Sequence, residues 1–245
     1  MMLVGLLALL PPLIADGVPE ALDAGTGVWL VLSGLCNVAG LLIVYAALQV
    51  ETVGIVAPIT STEGAVAALI AVAAGEAIAR GTGLALAIIV VGVVLSGIVR
   101  SAPAEHGHGR RGALLALVSA ATFGLGLYAT ARVSSDLPIA WAVLPARLAG
   151  VVLVAIPLAV ASRLRLTRRA LPLVIGSGLT EVIGFASFAF GARHEIAVSA
   201  VLASQFAAVA AVGGYLLFGE RLTRMQLAGV VLILAGVATL TALTA

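Results

Sequence analysis

Apolar residues in this chain run on rather than alternating with polar ones. Nine such runs fall at approximately 2–14, 28–48, 53–74, 82–99, 112–131, 138–161, 171–191, 196–218 and 225–243, each bounded by Gly, Pro or charge. A hydrocarbon interior offers no partner to free backbone N–H and C=O groups, so runs of this kind form helices; the alternation of a membrane β-barrel is absent. Pro138 and Pro172 stand where helices begin, a position that needs no N–H donor. Pro58, Pro145 and Pro157 fall inside runs and predict bends. The run at 2–14 lacks the basic start of a signal peptide and reads as a short or truncated spanning helix.

Composition places these runs in a bilayer. The chain of 245 residues is 62% hydrophobic and 10% charged, where soluble domains carry roughly 45–50% apolar and about 25% charged residues. Each spanning helix needs about 20 apolar residues, so the expected fold is an all-α polytopic membrane protein with nine transmembrane helices and no room for a soluble catalytic domain. The single Cys36 can form no intramolecular disulfide. All 13 basic residues are Arg, and a net charge of +2 spread over turns leaves no nucleic-acid footprint.

Two turns open the next level of organisation. Gly75, Glu76 and Arg80 precede one apolar run, and Gly219, Glu220 and Arg224 precede another, 144 residues later. At the same offset Ser33, Gly34 and Leu35 fall on Ser177, Gly178 and Leu179, Gly40 on Gly184, Glu51 on Glu195, Ala67 on Ala211 and Gly92 on Gly236, with no gap. The second copy holds five helices. Five is odd, so a duplicate enters the membrane from the opposite side, which is the inverted repeat of many secondary transporters. The expected division is a first repeat over 1–100, a connecting loop over 101–111 and a second repeat over 112–245. The helix at 112–131 has no mate in the first copy: either the coding sequence starts upstream or the protein works with nine helices. The charged turns read as depth anchors at the headgroup level.

The turn Gly219, Glu220, Arg221, Leu222, Thr223, followed by the helix from Leu227 to Val237, resembles the EamA-type transporters of the drug/metabolite transporter superfamily, and Gly75 and Glu76 form a weaker copy. The resemblance covers essentially all of 1–245. It implies two EamA repeats that carry small metabolites, amino acids or drugs across a membrane, and it implies no cofactor. The chain departs from the ten-helix pattern in its first helix, and Ala77, Ile78 and Ala79 replace the Arg-Leu-Thr of the turn.

Polar residues far from the interface are the candidate site. Glu63 and Glu181 each lie about half-way along a run, where a carboxylate costs about 2.5–3.5 kcal/mol on insertion scales and by default marks a pathway, a proton relay or a partner. Ser177, Gly184 and Phe188 share the helical face of Glu181, whose repeat mate is Asn37. Thr60 and Ser61 pair in the same way with Ser204 and Gln205. Interhelical hydrogen bonding is the plainer use of these small polar groups. Arg147, nine residues into its helix, can snorkel, pair with a carboxylate or meet an anionic substrate group, pairing being the plainer use. Tyr128 and Trp141 offer rings for stacking or for an interfacial belt. His106 and His108 lie in a Gly-rich loop without further metal ligands.

No HExxH, GxSxG or Walker-type loop occurs, so the chain is not expected to be an enzyme. The expected function is a secondary transporter, an exporter of a small metabolite such as an amino acid or drug-like compound, working by alternating access at a midplane cavity. A channel or structural membrane protein is the alternative. The expected partners are the small-molecule substrate and the lipid bilayer, with protons as the candidate coupling ion; oligomeric state is open. Arg100, Arg110, Arg111, Arg163, Arg165, Arg168, Arg169, Arg221 and Arg224 fall on one side, against Arg80, Arg132 and Arg193 on the other. The positive-inside rule then sets the 163–169 loop in the cytoplasm of a cell membrane.

Overall fold

A computed structural model describes residues 1–51, 53–97, 109–162, 167–205, 209, 212 and 223–244. Among them every regular element is helical: α1 (Met2–Asp16), α2 (Ala24–Val50), α3 (Val53–Thr60), α4 (Glu63–Ala73), α5 (Arg80–Gly97), α6 (Gly109–Ser134), α7 (Ile139–Gly150), a π-turn (Val151–Ala155), α8 (Ile156–Val160), α9 (Leu171–Ala192), α10 (Ile196–Ala203) and α11 (Arg224–Thr244). Stretches long and apolar enough to cross a bilayer are Ala24–Val50, Ile55–Ala73, Arg110–Ser134, Ile139–Val160 and Leu171–Ala192; Met2–Asp16, Gly81–Leu95 and Arg224–Thr239 are shorter apolar helices. Ile14, Val160 and Leu173 are among many exposed large apolar side chains. Water would not tolerate such a surface, but lipid is a good solvent for it.

The element ends follow local chemistry. α1 stops where Gly17 takes a positive φ of 65°, a backbone state that costs other residues strain. α2 starts after Asp23, whose Oδ1 accepts the Thr26 backbone N–H at 2.7 Å and the Thr26 hydroxyl at 2.7 Å, a side-chain cap for an otherwise free donor. The run at 53–74, read above as one helix, is interrupted. Ser61 Oγ donates back to the Ala57 and Pro58 carbonyls at 2.8 and 3.1 Å, and Thr62 Oγ1 to the Ile59 carbonyl at 2.7 Å. Such hydroxyls compete with the helix ladder behind Pro58, which cannot donate to it, and the turn opens between α3 and α4. The expected bend at Pro157 takes the form of the π-turn ahead of it, which widens the helix before the proline ring. Pro145 lies within a continuous α7.

The chain forms two compact units, each drawing helices from both sequence halves. The first joins Met1–Val38 to Leu125–Ile196, and the second joins Ala39–Gly124 to Ala197–Ala245. In the first, α1 packs on α7 and α9, which also pack on each other. Leu9, Ala140, Val143 and Ala189 form one core, and Val133, Leu137 and Ala142 meet Trp29, Leu30 and Trp141 in another. In the second unit α5 lies along α11, with Ala85, Leu86, Ile89 and Val93 packed with Ala197, Val201 and Ile233.

Glycine sets how closely these helices approach. In the first unit a Cβ on Gly34 would lie 2.7 Å from the Pro145 carbonyl oxygen, and one on Gly178 would lie 2.8 Å from that of Met1. In the second, Gly92 would meet the Gly229 oxygen and Ile233 at 2.8 Å, and Gly236 would meet the Ala85 oxygen at 3.2 Å and Ile89 at 2.5 Å. Each pair of contacts exchanges under the 144-residue offset, partner for partner. Close backbone approach through small residues is how helices associate in lipid, where no hydrophobic force drives them together.

Candidate functional site

In the first unit, α7 carries Arg147 fully buried, with 0% of its side chain exposed. Gly5 on α1 lets the stem in: a Cβ there would lie 3.0 Å from Arg147 Cδ. The guanidinium Nη1 forms an ion pair with Glu181 Oε1 on α9 and donates to Met2 Sδ at 3.3 Å. Phe185, one turn beyond Glu181, puts its ring centroid 4.9 Å from Arg147 Cζ, a distance at which a ring face attracts a cation. Arg147 Nε and Nη2, and Glu181 Oε2, are buried without a partner among the described residues. Nε–H and one N–H of Nη2 point the same way from one edge of the guanidinium. That edge is the fork that grips a carboxylate with two parallel hydrogen bonds.

Asn37 and Tyr128 belong to the same unit but not to this ion pair. Tyr128 is buried with its ring edge-on to Trp29, at 5.8 Å between centroids. Asn37 is buried where Gly126 passes its backbone N at 3.6 Å. Trp141 Nε1 donates to the Gly17 carbonyl at 2.9 Å. An apolar groove of about 700 Å³ runs beside α2 and α7, lined by Leu30, Val31, Leu144, Leu148 and Val152. The charged member of its lining, Asp23, is engaged by Thr26.

The second unit gathers Thr60, Ser61, Glu63 and Ser204 at the α3–α4 interruption. Glu63 opens α4, where the helix dipole favours a carboxylate. A Cβ on the adjacent Gly64 would press on the Ala200 carbonyl and on Ser204 Oγ, so the end of α10 abuts this turn. Ser204 Oγ is itself bonded to the Val201 carbonyl at 3.0 Å, and Thr60 Oγ1 is buried without a partner among the described residues. Gln205 lines a separate groove with Val209, Val212, Val230, Ile233 and Leu234.

Several contacts were not anticipated. Phe185 follows Glu181 by the i+4 spacing that puts residues on one helix face, and that spacing is the signal that could have found it. Met2 carries no such signal. Glu76, read as a headgroup-level anchor, instead accepts the Ala197 backbone N–H at 3.2 Å at the start of α10. Arg193 donates from Nε to the Ser134 carbonyl at 2.6 Å and from Nη2 to the Leu137 carbonyl at 2.8 Å, closing the C-terminal end of α6. His106, His108, Glu220 and Arg221 lie outside the described residues, as do Arg163 and Arg165. Among the described residues no three His, Cys, Asp or Glu side chains converge as metal ligands.

Long apolar helices with an ion pair buried among them define a multi-pass α-helical membrane protein. The EamA-like transporter family profile matches residues 110–242, more than half of the chain. The chain belongs to that family, and so to the drug/metabolite transporter superfamily, whose small-molecule transport and bilayer setting it shares. A solved structure titled only as the crystal structure of a protein aligns with a TM-score of 0.77 over 99% of this chain and 85% of that one, at 18% identity, a likeness of fold. No curated protein matches the chain.

Proposed function

We propose that this protein is a secondary transporter, exporting a small metabolite such as an amino acid or drug-like compound across the cell membrane by alternating access. The observation that carries the reading is the Arg147–Glu181 pair. Two opposite charges held on spanning helices are costly to bury, and three of their polar atoms still lack partners, so they suit a ligand better than they suit a scaffold. The break between α3 and α4 adds support, because interrupted spanning helices commonly flank a transport site. The reciprocal glycine contacts favour reading 1–100 and 112–245 as the two EamA repeats joined by 101–111.

Arg147 then holds a charged group of the substrate, and Glu181 is its partner until the substrate binds. Asn37 and Tyr128 are the further candidates in the same unit, and the second unit carries its own candidates, Thr60, Ser61, Ser204 and Gln205, with Glu63 as a candidate proton carrier. Reconstituted vesicles test the proposal: saturable counterflow of a labelled metabolite, reduced in Arg147→Gln and altered in proton coupling in Glu63→Gln, is expected. An ohmic current without saturation would make the protein a pore and end the carrier reading.

A further inference from the structure

Resting on the transporter reading, we infer that the Arg147–Glu181 pair couples the binding of a small organic carboxylate to the uptake of one proton. A guanidinium buried on spanning helices needs an anion beside it at every stage of a transport cycle, because an unpaired charge there is far costlier than a paired one. Glu181 supplies that anion in the structure, through one oxygen and one guanidinium nitrogen. The better edge of Arg147, the fork of Nε and Nη2, is left over and buried. A free carboxylate matches that fork with two parallel hydrogen bonds, which the single Nη1 contact to Glu181 does not provide.

The two carboxylates therefore exchange. When the substrate carboxylate takes the guanidinium, Glu181 loses its counter-charge and accepts a proton on the oxygen released. When the substrate leaves, Glu181 gives up that proton and returns to Arg147. The site carries no net charge in either state, and the cargo, one anion plus one proton, is also neutral. Neutrality in both states keeps each crossing free of the cost of moving a bare charge through hydrocarbon. Substrate and proton thus travel together, in whichever direction their combined gradients point.

Few other groups can supply or compete for that proton. Among the described residues α1 places no ionisable side chain on this level, and neither do α7 and α9 beyond Arg147 and Glu181. Glu181 keeps 22% of its side chain exposed, whereas Arg147 is fully buried.

Benzoate binding to the purified full chain in lipid nanodiscs tests the linkage, with benzamide as the uncharged control, followed by the rise in thermal midpoint between about pH 5.5 and 8.5, where benzoate stays ionised. Toward the alkaline end the apparent Kd should rise about tenfold per pH unit, the signature of one proton taken up per anion bound. Glu181→Gln should bind benzoate with no pH dependence, and Arg147→Lys, which keeps the charge without the fork, should bind at least about tenfold more weakly. A wild-type Kd flat across this range, or a slope that survives in Glu181→Gln, overturns the inference. Metabolite counterflow in vesicles separates the two readings. Saturable flux of some solute without pH-linked benzoate binding defeats the linkage and leaves the transporter, while linked binding without any flux does the reverse.

Discussion

The two compact units satisfy intramembrane hydroxyls in the same way, and the first adds a buried ion pair. The second unit uses small hydroxyls that bond to carbonyls of the preceding turn, as Ser61 does to Ala57, Thr62 to Ile59 and Ser204 to Val201. Each of these hydroxyls donates within its own segment, and at Ser61 and Thr62, behind Pro58, the helix breaks. The first unit has such hydroxyls too, Ser33 bonding to Leu30, Thr130 to Gly126 and Thr180 to Gly176, and in addition buries a full charge on Arg147 that Glu181 and Met2 satisfy only in part. A hydroxyl bonded to its own backbone resists exchange with a ligand because nothing is left over. An ion pair with donors to spare leaves room for one, so the same bilayer constraint yields a helix interruption in one unit and an incompletely satisfied ion pair in the other.

The largest expected effect breaks that contrast at the ion pair. Removing one partner, as in Arg147→Gln or Glu181→Gln, leaves the other charge buried alone, and such losses run to about 3–5 kcal/mol. Replacing both with apolar side chains, Arg147→Met with Glu181→Leu, should recover most of that stability, yet abolish transport. Thermal midpoints in one detergent, with vesicle flux alongside, check both parts. If the double variant is as unstable as the single ones, the pair is a structural fixture and its spare donors mean nothing for function.

A smaller effect sharpens the comparison between repeat mates. Gly40 and Gly184 correspond at the 144-residue offset, but their surroundings differ. A Cβ on Gly40 would lie 2.8 Å from the Phe123 ring of α6, and Ser119 Oγ of the same helix donates to the Gly40 carbonyl at 2.9 Å. A Cβ on Gly184 meets nothing within 4 Å. Gly40→Ala should therefore cost about 1–3 kcal/mol through overpacking, while Gly184→Ala should be neutral or gain up to about 1 kcal/mol from helix propensity. Equal shifts in thermal midpoint would mean that both faces are covered alike.

The offset was legible because close backbone approach admits no side chain. Gly34 with Gly178, and Gly92 with Gly236, stand out in the sequence and turn out to be contacts in which a carbonyl oxygen lies against the glycine. The all-helical fold was legible for a similarly rigid reason, the lack of backbone partners in lipid. The pairing of Arg147 with Glu181 rather than Glu63 was not, because periodicity assigns a residue to a face of its own helix and says nothing of how two helices are rotated against each other. Nor was the interruption at Ser61 and Thr62, where Pro58 signalled a bend but the hydroxyl bonds that complete the break depend on rotamers. Repeat mates also parted company: Ser61 sits at the α3–α4 turn, while Gln205, its mate, lines a groove beside Val230 and Leu234.

The smallest effect lies outside the spanning segments, at the cap of α2, where polarity is satisfied in yet another way. Asp23 is exposed, so solvent could take the place of its partners, but its carboxylate accepts both the backbone N–H and the hydroxyl of Thr26. Those bonds, the backbone one first, hold the Asp23 carboxyl below the usual carboxylate range. A folded-state value lower than the unfolded one means that the charged form favours the fold. Its contribution is complete above the ordinary carboxylate value and is lost as pH falls through the lowered one. Asp23→Asn keeps an acceptor for Thr26 and removes the charge, so it should lower the thermal midpoint slightly at about pH 7, with the gap to wild type closing toward about pH 3. A gap that stays constant across that range would show that the cap works through geometry alone, and that the charge at the start of α2 contributes nothing to its stability.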